Sequence, residues 1–381
     1  MAKTALYDIE NQTLSATLAS FFKRLLEAGD ISAVMAPMRL PSQDRVMQTL
    51  VTDPEQLDAI DPFSPSFPMN AAKLVSRLTK RPAGGTVAVV LRPCEIRAHI
   101  ELVKLKQGSV DDIVVVGIDC PGALQNTDYS QFIAETPDGS TERFLKAALA
   151  GETSFDAGVE LPVACRSCAH PVPHGADISI GIFGIDIDSR FLLTSETDKG
   201  DAIFDKLGLS PQDAPSEREG AIEALVASRE AFKKEMFEST REKTDNPEKL
   251  AAYLSGCINC YNCRVACPVC YCRECVFVTD VFDHDPFQYL RWAKRKGMIK
   301  MPVDTVFYHI TRMAHMSTAC VGCGQCSNAC PNDVPLVALF TMTAEKTQAV
   351  FDYEAGRSLD DDPPLTVFKE EEFAEVVEVT H

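Results

Sequence analysis

A chain of 381 residues with 45% hydrophobic side chains can fill two or three cores without disulfide staples. Its formal charge of -18 sets the surface against nucleic acid, whose phosphates it would repel. No stretch approaches the ~20 apolar residues of a membrane span, and the N-terminus lacks the basic and apolar regions of a secretory leader, so a cytoplasmic protein is expected.

Thiols stay reduced in that compartment, so fifteen cysteines point to metal ligation or redox work. Four lie at or before Cys168 and eleven at or after Cys257, with none between. This split predicts three parts. Residues 1–244 form an α/β (α+β) domain with a parallel strand-helix-strand core, 245–345 a mostly α-helical two-cluster ferredoxin domain, and 346–381 an acidic tail.

In chain order, "TVAVVL" (86–91) is a β-rich apolar run, followed by "EIRAHIELVKLKQG" with Ile96, Ile100 and Val103 at helical spacing. A second apolar run, "DDIVVVGIDC", ends in Cys120. Strand, helix, strand is the pattern of a right-handed parallel crossover, which places Cys94 and Cys120 just beyond strand carboxyl ends, where open sheets put their ligands. "ADISIGIFG" and "FLLTS" read as further strands and "DKGDAIFDKLG" as a helix. Residues 216–243 read as a long amphipathic helix that closes the domain. Asn246 as N-cap, Pro247 at the first helical position and Gly256 past the end mark a short helix that delivers the chain to Cys257.

There "CINCYNCRVACPVCYCREC" packs seven cysteines into nineteen positions. It contains Cys257, Cys260, Cys263 and Cys267-Pro268 at x2, x2, x3 spacing, and "CVGCGQCSNACP" repeats the run with Cys320, Cys323, Cys326 and Cys330-Pro331. In two-cluster ferredoxins each such run supplies three thiolates to one cubane and its fourth to the other. The expected sets are therefore Cys257, Cys260, Cys263 with Cys330, and Cys320, Cys323, Cys326 with Cys267. Zinc sites also use Cys-x2-Cys, but as pairs rather than two such quartets.

The segment between the runs is helical in character ("DPFQYLRWAKRKGMIK", "MPVDTVFYHITRMAHMSTA"), and the arrangement resembles the α-helical ferredoxins of succinate dehydrogenase iron-sulfur subunits and of heterodisulfide reductases. Cys270, Cys272 and Cys275 fall outside the pairing. They either hold a further cluster or metal, with Asp283, His284 or a partner chain completing the set, or are packed thiols. His309 and His315 read as ordinary helix residues. Arg291, Lys294, Arg295, Lys296 and Lys300 form a basic cluster, either a solvated face or a dock for an acidic partner. The tail from Ser358 carries eight acidic residues and one lysine and reads as a solvated or partner-docked extension.

Further upstream, "TVAVVLRPCEIRAHIELVKL", "DDIVVVGIDCPG", "CRSCAHPVPHGADISIGIFG" and "SETDKGDAIFDKLG" occur in the order found in the beta subunits of deazaflavin (coenzyme F420)-reducing hydrogenases and related formate dehydrogenases. The chain resembles that family over roughly residues 15 to 240. The resemblance implies that Cys94, Cys120, Cys165 and Cys168 bind a 4Fe-4S cluster beside an FAD, and that electrons pass between a flavin and a partner's metal centre. Family members carry a glycine pair and a Lys-Tyr element near the flavin. Here those stretches read "NQTLSATLASFF" and "LDAIDPFSPSFPMN", with neither feature, so FAD stays open.

The function expected is an electron-transfer subunit of a soluble, anaerobic oxidoreductase complex. It would carry three 4Fe-4S clusters, a fourth if Cys270, Cys272 and Cys275 ligate, and would serve a formate dehydrogenase, hydrogenase or heterodisulfide reductase-like partner. The alternative is a self-sufficient FAD enzyme oxidising a reduced nicotinamide or deazaflavin. No catalytic residue is assigned: the chain lacks a Gly-rich fingerprint after a strand and a serine-centred nucleophile elbow.

Overall fold

The computed structural model describes residues 3–9, 13–41, 45–135, 139–279, 285–296 and 304–366. The first part runs β1 (Lys3–Asp8), α1 (Leu14–Glu27), β2 (Ile31–Arg39), β3 (Val46–Val51), α2 (Ala72–Leu78), β4 (Thr86–Leu91), α3 (Pro93–Lys104), β5 (Ile113–Ile118), α4 (Asn126–Glu135), α5 (Ser140–Leu149), α6 (Val163–Arg166), β6 (Ile178–Gly181), β7 (Arg190–Ser195) and α7 (Asp198–Leu207). Among the described residues these strands form one seven-stranded sheet in the order β1-β7-β6-β5-β4-β2-β3. Its middle is parallel (β2 with β4, β4 with β5, β5 with β6), and antiparallel pairs close both edges.

Helices cover both faces, which is why the central strands read as unbroken apolar runs rather than alternating ones. Ala88, Val90, Val114 and Val116 pack with α1 and α5 on one face; Val87, Val89, Leu91 and Val115 pack with α2 and α3 on the other. The crossover from β4 through α3 to β5 is the expected one. Helix α3 begins earlier than its periodicity implies, because Pro93 supplies the fixed φ of a first helical position, and Cys94 falls in its first turn.

Beyond the sheet lie α8 (Glu217–Glu242), α9 (Pro247–Tyr253), α10 (Asn262–Ala266), α11 (Pro286–Lys296), α12 (Thr305–Met316), α13 (Gln325–Asn328) and α14 (Leu336–Val350). Helix α9 starts at the Asn246 cap, whose Oδ1 accepts from Lys249 N at 2.9 Å. Helix α8 does not close the α/β part as its length suggested. Only Arg229 and Thr240 of its 26 residues are buried, and it lies across the junction against α6 and α14. Arg218 ties it to Asp119 at the sheet end, and Lys233 reaches Glu345 of α14 at 3.1 Å.

The helical part has its own core of Leu254, Val269, Phe277, Tyr308, Met316, Leu336, Leu339 and Phe340, and this core is continuous with Ala72, Ala98 and Leu102 of α2 and α3. After α14 the chain folds back on α3. The Tyr353 hydroxyl donates to Glu101 Oε1 at 2.5 Å, Gly356 N donates to the same oxygen at 2.7 Å, and Arg97 Nε donates to the Ala355 carbonyl at 3.1 Å. The residues before 367 thus include a docked strap. The acidic stretch from 367 onward lies outside the described residues, as do Asp283, His284 and Lys300.

Candidate iron-sulfur sites

All fifteen cysteines are free thiols. Cys94 in the first turn of α3, Cys120 two residues past β5, Cys165 in α6 and Cys168 just after it line one small cavity with Phe67, Arg92 and Arg229. Cys94 comes from the connection after β4, and Cys120, Cys165 and Cys168 from the long connection after β5, which is how thiols up to 74 residues apart meet. Burial pushes the Cys94 thiol well above its usual range and Cys165 up to about 12, and the charges on Cys120 and Cys168 reach both of them. Bare thiolates there would lack solvation, so the donor set suits a site in which iron replaces the protons.

The two C-terminal runs exchange their fourth cysteines. Cys257, Cys260, Cys263 and Cys330 line a second small cavity under Tyr308 and His309, and Cys257 feels the charge of the other three. Cys267 instead lies within electrostatic reach of Cys320, Cys323 and Cys326. Burial raises all three of the last. The structure thus places twelve of the thiols in three groups of four. Among the described residues no three His, Cys, Asp or Glu side chains converge at the distance of a single ion. Thiolates on a cubane stand further apart than that, because each binds a different iron.

The second quartet neighbours both of the others. Cys94 of the first feels the charge of Cys323 of the second, and Gly324, which follows Cys323, abuts Ala164, which precedes Cys165. Cys326 of the second feels Cys263 of the third. Buried cations accompany them. Arg229 donates to the carbonyls of Pro121 (2.7 Å) and Cys168 (3.4 Å), and Arg312 donates from Nη1 to Cys263 Sγ at 3.0 Å. Both are 5% exposed, and among the described residues neither pairs with a carboxylate. Around the third quartet Asn259 Nδ2, Arg264 Nε, His309 Nδ1 and Arg312 Nε are buried without hydrogen-bond partners. Buried donors and cations without counter-charges are costly alone. They fit an anionic, sulfide-bearing group held by the thiols.

His309 differs from its reading as an ordinary helix residue: it is fully buried with Nε2 3.3 Å from Cys257 Sγ. His315 is exposed, as expected of a surface helix position. Cys270 is half-buried beside Cys267 and Cys272, Cys272 is exposed, and Cys275 is half-buried at the head of a short 3-10 turn. The structure brings no fourth side chain to these three among the described residues. Arg92, Arg229, Tyr308 and Arg312, which the structure places beside the thiols, escape the sequence reading because nothing local separates a polar side chain facing buried cysteines from one facing water.

Two larger openings flank the junction of the first and second quartets. One, about 350 Å³, is walled by Phe67, Phe232, Met236 and Val337 and reaches Cys165 and Cys323, with Lys243 at its rim. The other, about 430 Å³, exposes Cys168 and Cys320 between Arg97, Lys233 and Arg357. Among the described residues no helix is long and apolar enough to cross a membrane.

Residues 253–334 match the family described as a 4Fe-4S dicluster domain. The chain is 26% identical over 370 residues to the F420-dependent formate dehydrogenase subunit beta of Methanocaldococcus jannaschii, covering 89% of this chain and 91% of that protein. It is 27% identical over 389 residues to F420-dependent formate dehydrogenase 1 subunit beta of Methanococcus maripaludis, covering 93% and 94%. A chain of the xenon-derivatized F420-reducing [NiFe] hydrogenase complex from Methanosarcina barkeri is similar at 15% identity and a TM-score of 0.45, covering 65% of this chain and 94% of that one, too distant to carry an argument. The resemblance to beta subunits of F420-dependent formate dehydrogenases thus extends along about nine-tenths of the chain and takes in the segment 253–334 that matches a 4Fe-4S dicluster domain.

Proposed function

We propose that this chain is the iron-sulfur electron-transfer subunit of a formate dehydrogenase-type or hydrogenase-type complex, with three 4Fe-4S clusters held by the three quartets. The observation that carries the reading is their contiguity: one loop contact, Gly324 on Ala164, separates the first from the second, and one guanidinium, Arg312, lies between the second and the third. When bound, each cluster stores one electron with little movement of atoms. The chain's part is to bury the thiols, supply cations and exclude water. The membership of each quartet and the division of the chain near 245 belong to this proposal, as does a cytoplasmic location. The relatives' names make a catalytic formate dehydrogenase subunit the partner of choice and F420 the carrier at the other end.

FAD is the finer part of the proposal. The 350 Å³ opening offers aromatic and aliphatic walls suited to a flavin ring between Cys165 and Cys323. Two of its side-chain amides are already engaged, since Gln325 Nε2 and Asn328 Nδ2 both donate to the Phe67 carbonyl, and Lys243 is the one cation at the lining among the described residues. The walls fit a ring better than the lining fits a diphosphate. The same opening is what favours the second reading, a self-sufficient flavoenzyme.

Anaerobic reconstitution followed by iron and sulfide analysis tests the main reading. About twelve iron atoms per chain are expected for three cubanes, and about sixteen if Cys270, Cys272 and Cys275 help to hold a fourth. Stoichiometric zinc with negligible iron would overturn it. Acid extraction that releases no flavin, measured by absorbance, would overturn the flavoenzyme reading and leave the conduit standing.

A further inference from the structure

Helix α12 carries Arg312, whose side chain touches the third quartet and lies within electrostatic reach of the second. The guanidinium donates to Cys263 Sγ at 3.0 Å and to the Cys263 carbonyl at 3.1 Å. It lies 4.7 Å above the Phe340 ring of α14, and Cys263, Cys326 and Cys267 all act on its charge. Helix α10, which carries Cys263, packs against α13, which carries Cys326. Arg312 is 5% exposed and has no carboxylate partner among the described residues, while its Nε has no hydrogen-bond partner. A guanidinium stays charged at any working pH, so this is a permanent cation in a dry site.

We propose that Arg312 is a positioning residue for electron flow: a fixed cation shared by the two C-terminal clusters that raises the reduction potential of both, and most that of the cluster on Cys263. The inference rests on the reading of these quartets as cluster sites. Reduction adds one negative charge to a cluster. A buried cation nearby therefore favours the reduced form, and a charge-assisted hydrogen bond to a ligating sulfur acts in the same direction. The cluster on Cys263 receives both effects, and the cluster on Cys267 and Cys326 receives the charge alone. A lone buried cation is unfavourable, so the anionic clusters are in turn its counter-ions. No other cation bridges two quartets through a direct contact to a thiol sulfur among the described residues.

The test uses the full chain, loaded anaerobically, in wild-type form and as Arg312→Gln and Arg312→Lys. Iron content is measured first, and the potentials of the clusters are then followed by EPR during redox titration. Cys260→Ser marks the signal that belongs to the third quartet. Arg312→Gln is expected to lower both potentials, the third quartet's more. Arg312→Lys keeps the charge but loses the two-pronged contact with Cys263, so it should lower the third quartet's potential and leave the second near wild type. Full iron with both potentials unchanged in Arg312→Gln overturns the inference. If that variant does not hold iron, Arg312→Lys decides alone: a selective shift of the third quartet supports the inference, and equal or absent shifts overturn it. Wild-type protein without iron would instead overturn the underlying assignment of the sites.

Discussion

The contact between the first two cluster loops can be perturbed with a single methyl group. Gly324 sits at φ +76, and a Cβ added there would come within 2.4 Å of the Ala164 Cβ, where ordinary contacts start at 3.4 Å. Gly324→Ala therefore incurs two costs: roughly 1–2 kcal/mol for a left-handed backbone with a side chain, and about 1–3 kcal/mol for the overlap. The loop cannot retreat cheaply, because Gln325 and Asn328 anchor it to the Phe67 carbonyl at 2.9 and 3.1 Å. Relief by separation would move the Cys323 and Cys165 loops apart by about 1 Å, the difference between those two distances. Denaturant unfolding, followed by loss of cluster absorbance, should show a destabilisation of about 2–5 kcal/mol, and magnetic coupling between the first and second clusters should weaken. Adding Ala164→Gly should return the overlap part, less about 0.5–1 kcal/mol for glycine in a helix, while the backbone part remains. Wild-type stability and coupling in Gly324→Ala, or no recovery in the double variant, would refute the contact.

The exchange of fourth cysteines predicts that Cys330→Ser perturbs the same EPR signal as Cys260→Ser, and Cys267→Ser the same signal as Cys323→Ser; perturbation by sequence run instead would contradict it. Asp119 is fully buried and accepts from Arg218 Nη1 (2.6 Å), Ile182 N (2.8 Å) and Phe183 N (3.1 Å). Asp119→Asn strands the Arg218 charge and should cost about 3 kcal/mol in an unfolding titration, with a loss under about 1 kcal/mol counting against the pair. Burial lowers His99 from 6.5 to about 4, with Nε2 donating to the Ser109 carbonyl at 3.2 Å. The unfolded chain then binds the proton more readily, so the contribution is full above about 6.5 and is lost as pH falls towards 4, up to about 3 kcal/mol. His99→Gln should flatten that part of the stability profile relative to wild type, and an unchanged slope would refute it.

Much of this chain is legible locally. Strands β4 and β5 announce themselves because both faces of a central parallel strand are buried. Helix α9 is announced by Asn246 and Pro247, since a cap and a fixed φ act on the nearest backbone alone. The edge strands β1 and β3 carry less signal: Lys3–Asp8 is mostly half-exposed, and its identity as a strand depends on pairing with Arg190–Ser195 nearly two hundred residues away. Helix α8 was legible in length but not in place, because its few buried positions face a junction that exists only once both parts have folded.

The cysteine spacing by itself determined which thiols share a turn of chain, because a loop with a sulfur every third residue can curl around one corner of a cubane whatever surrounds it. Which quartet lies next to which was decided by tertiary packing alone. Ala164 meets Gly324, and Cys263 and Cys326 share Arg312, across separations of 160 and 63 residues that only the packing of α6, α12 and α13 on α14, and of α10 on α13, can close.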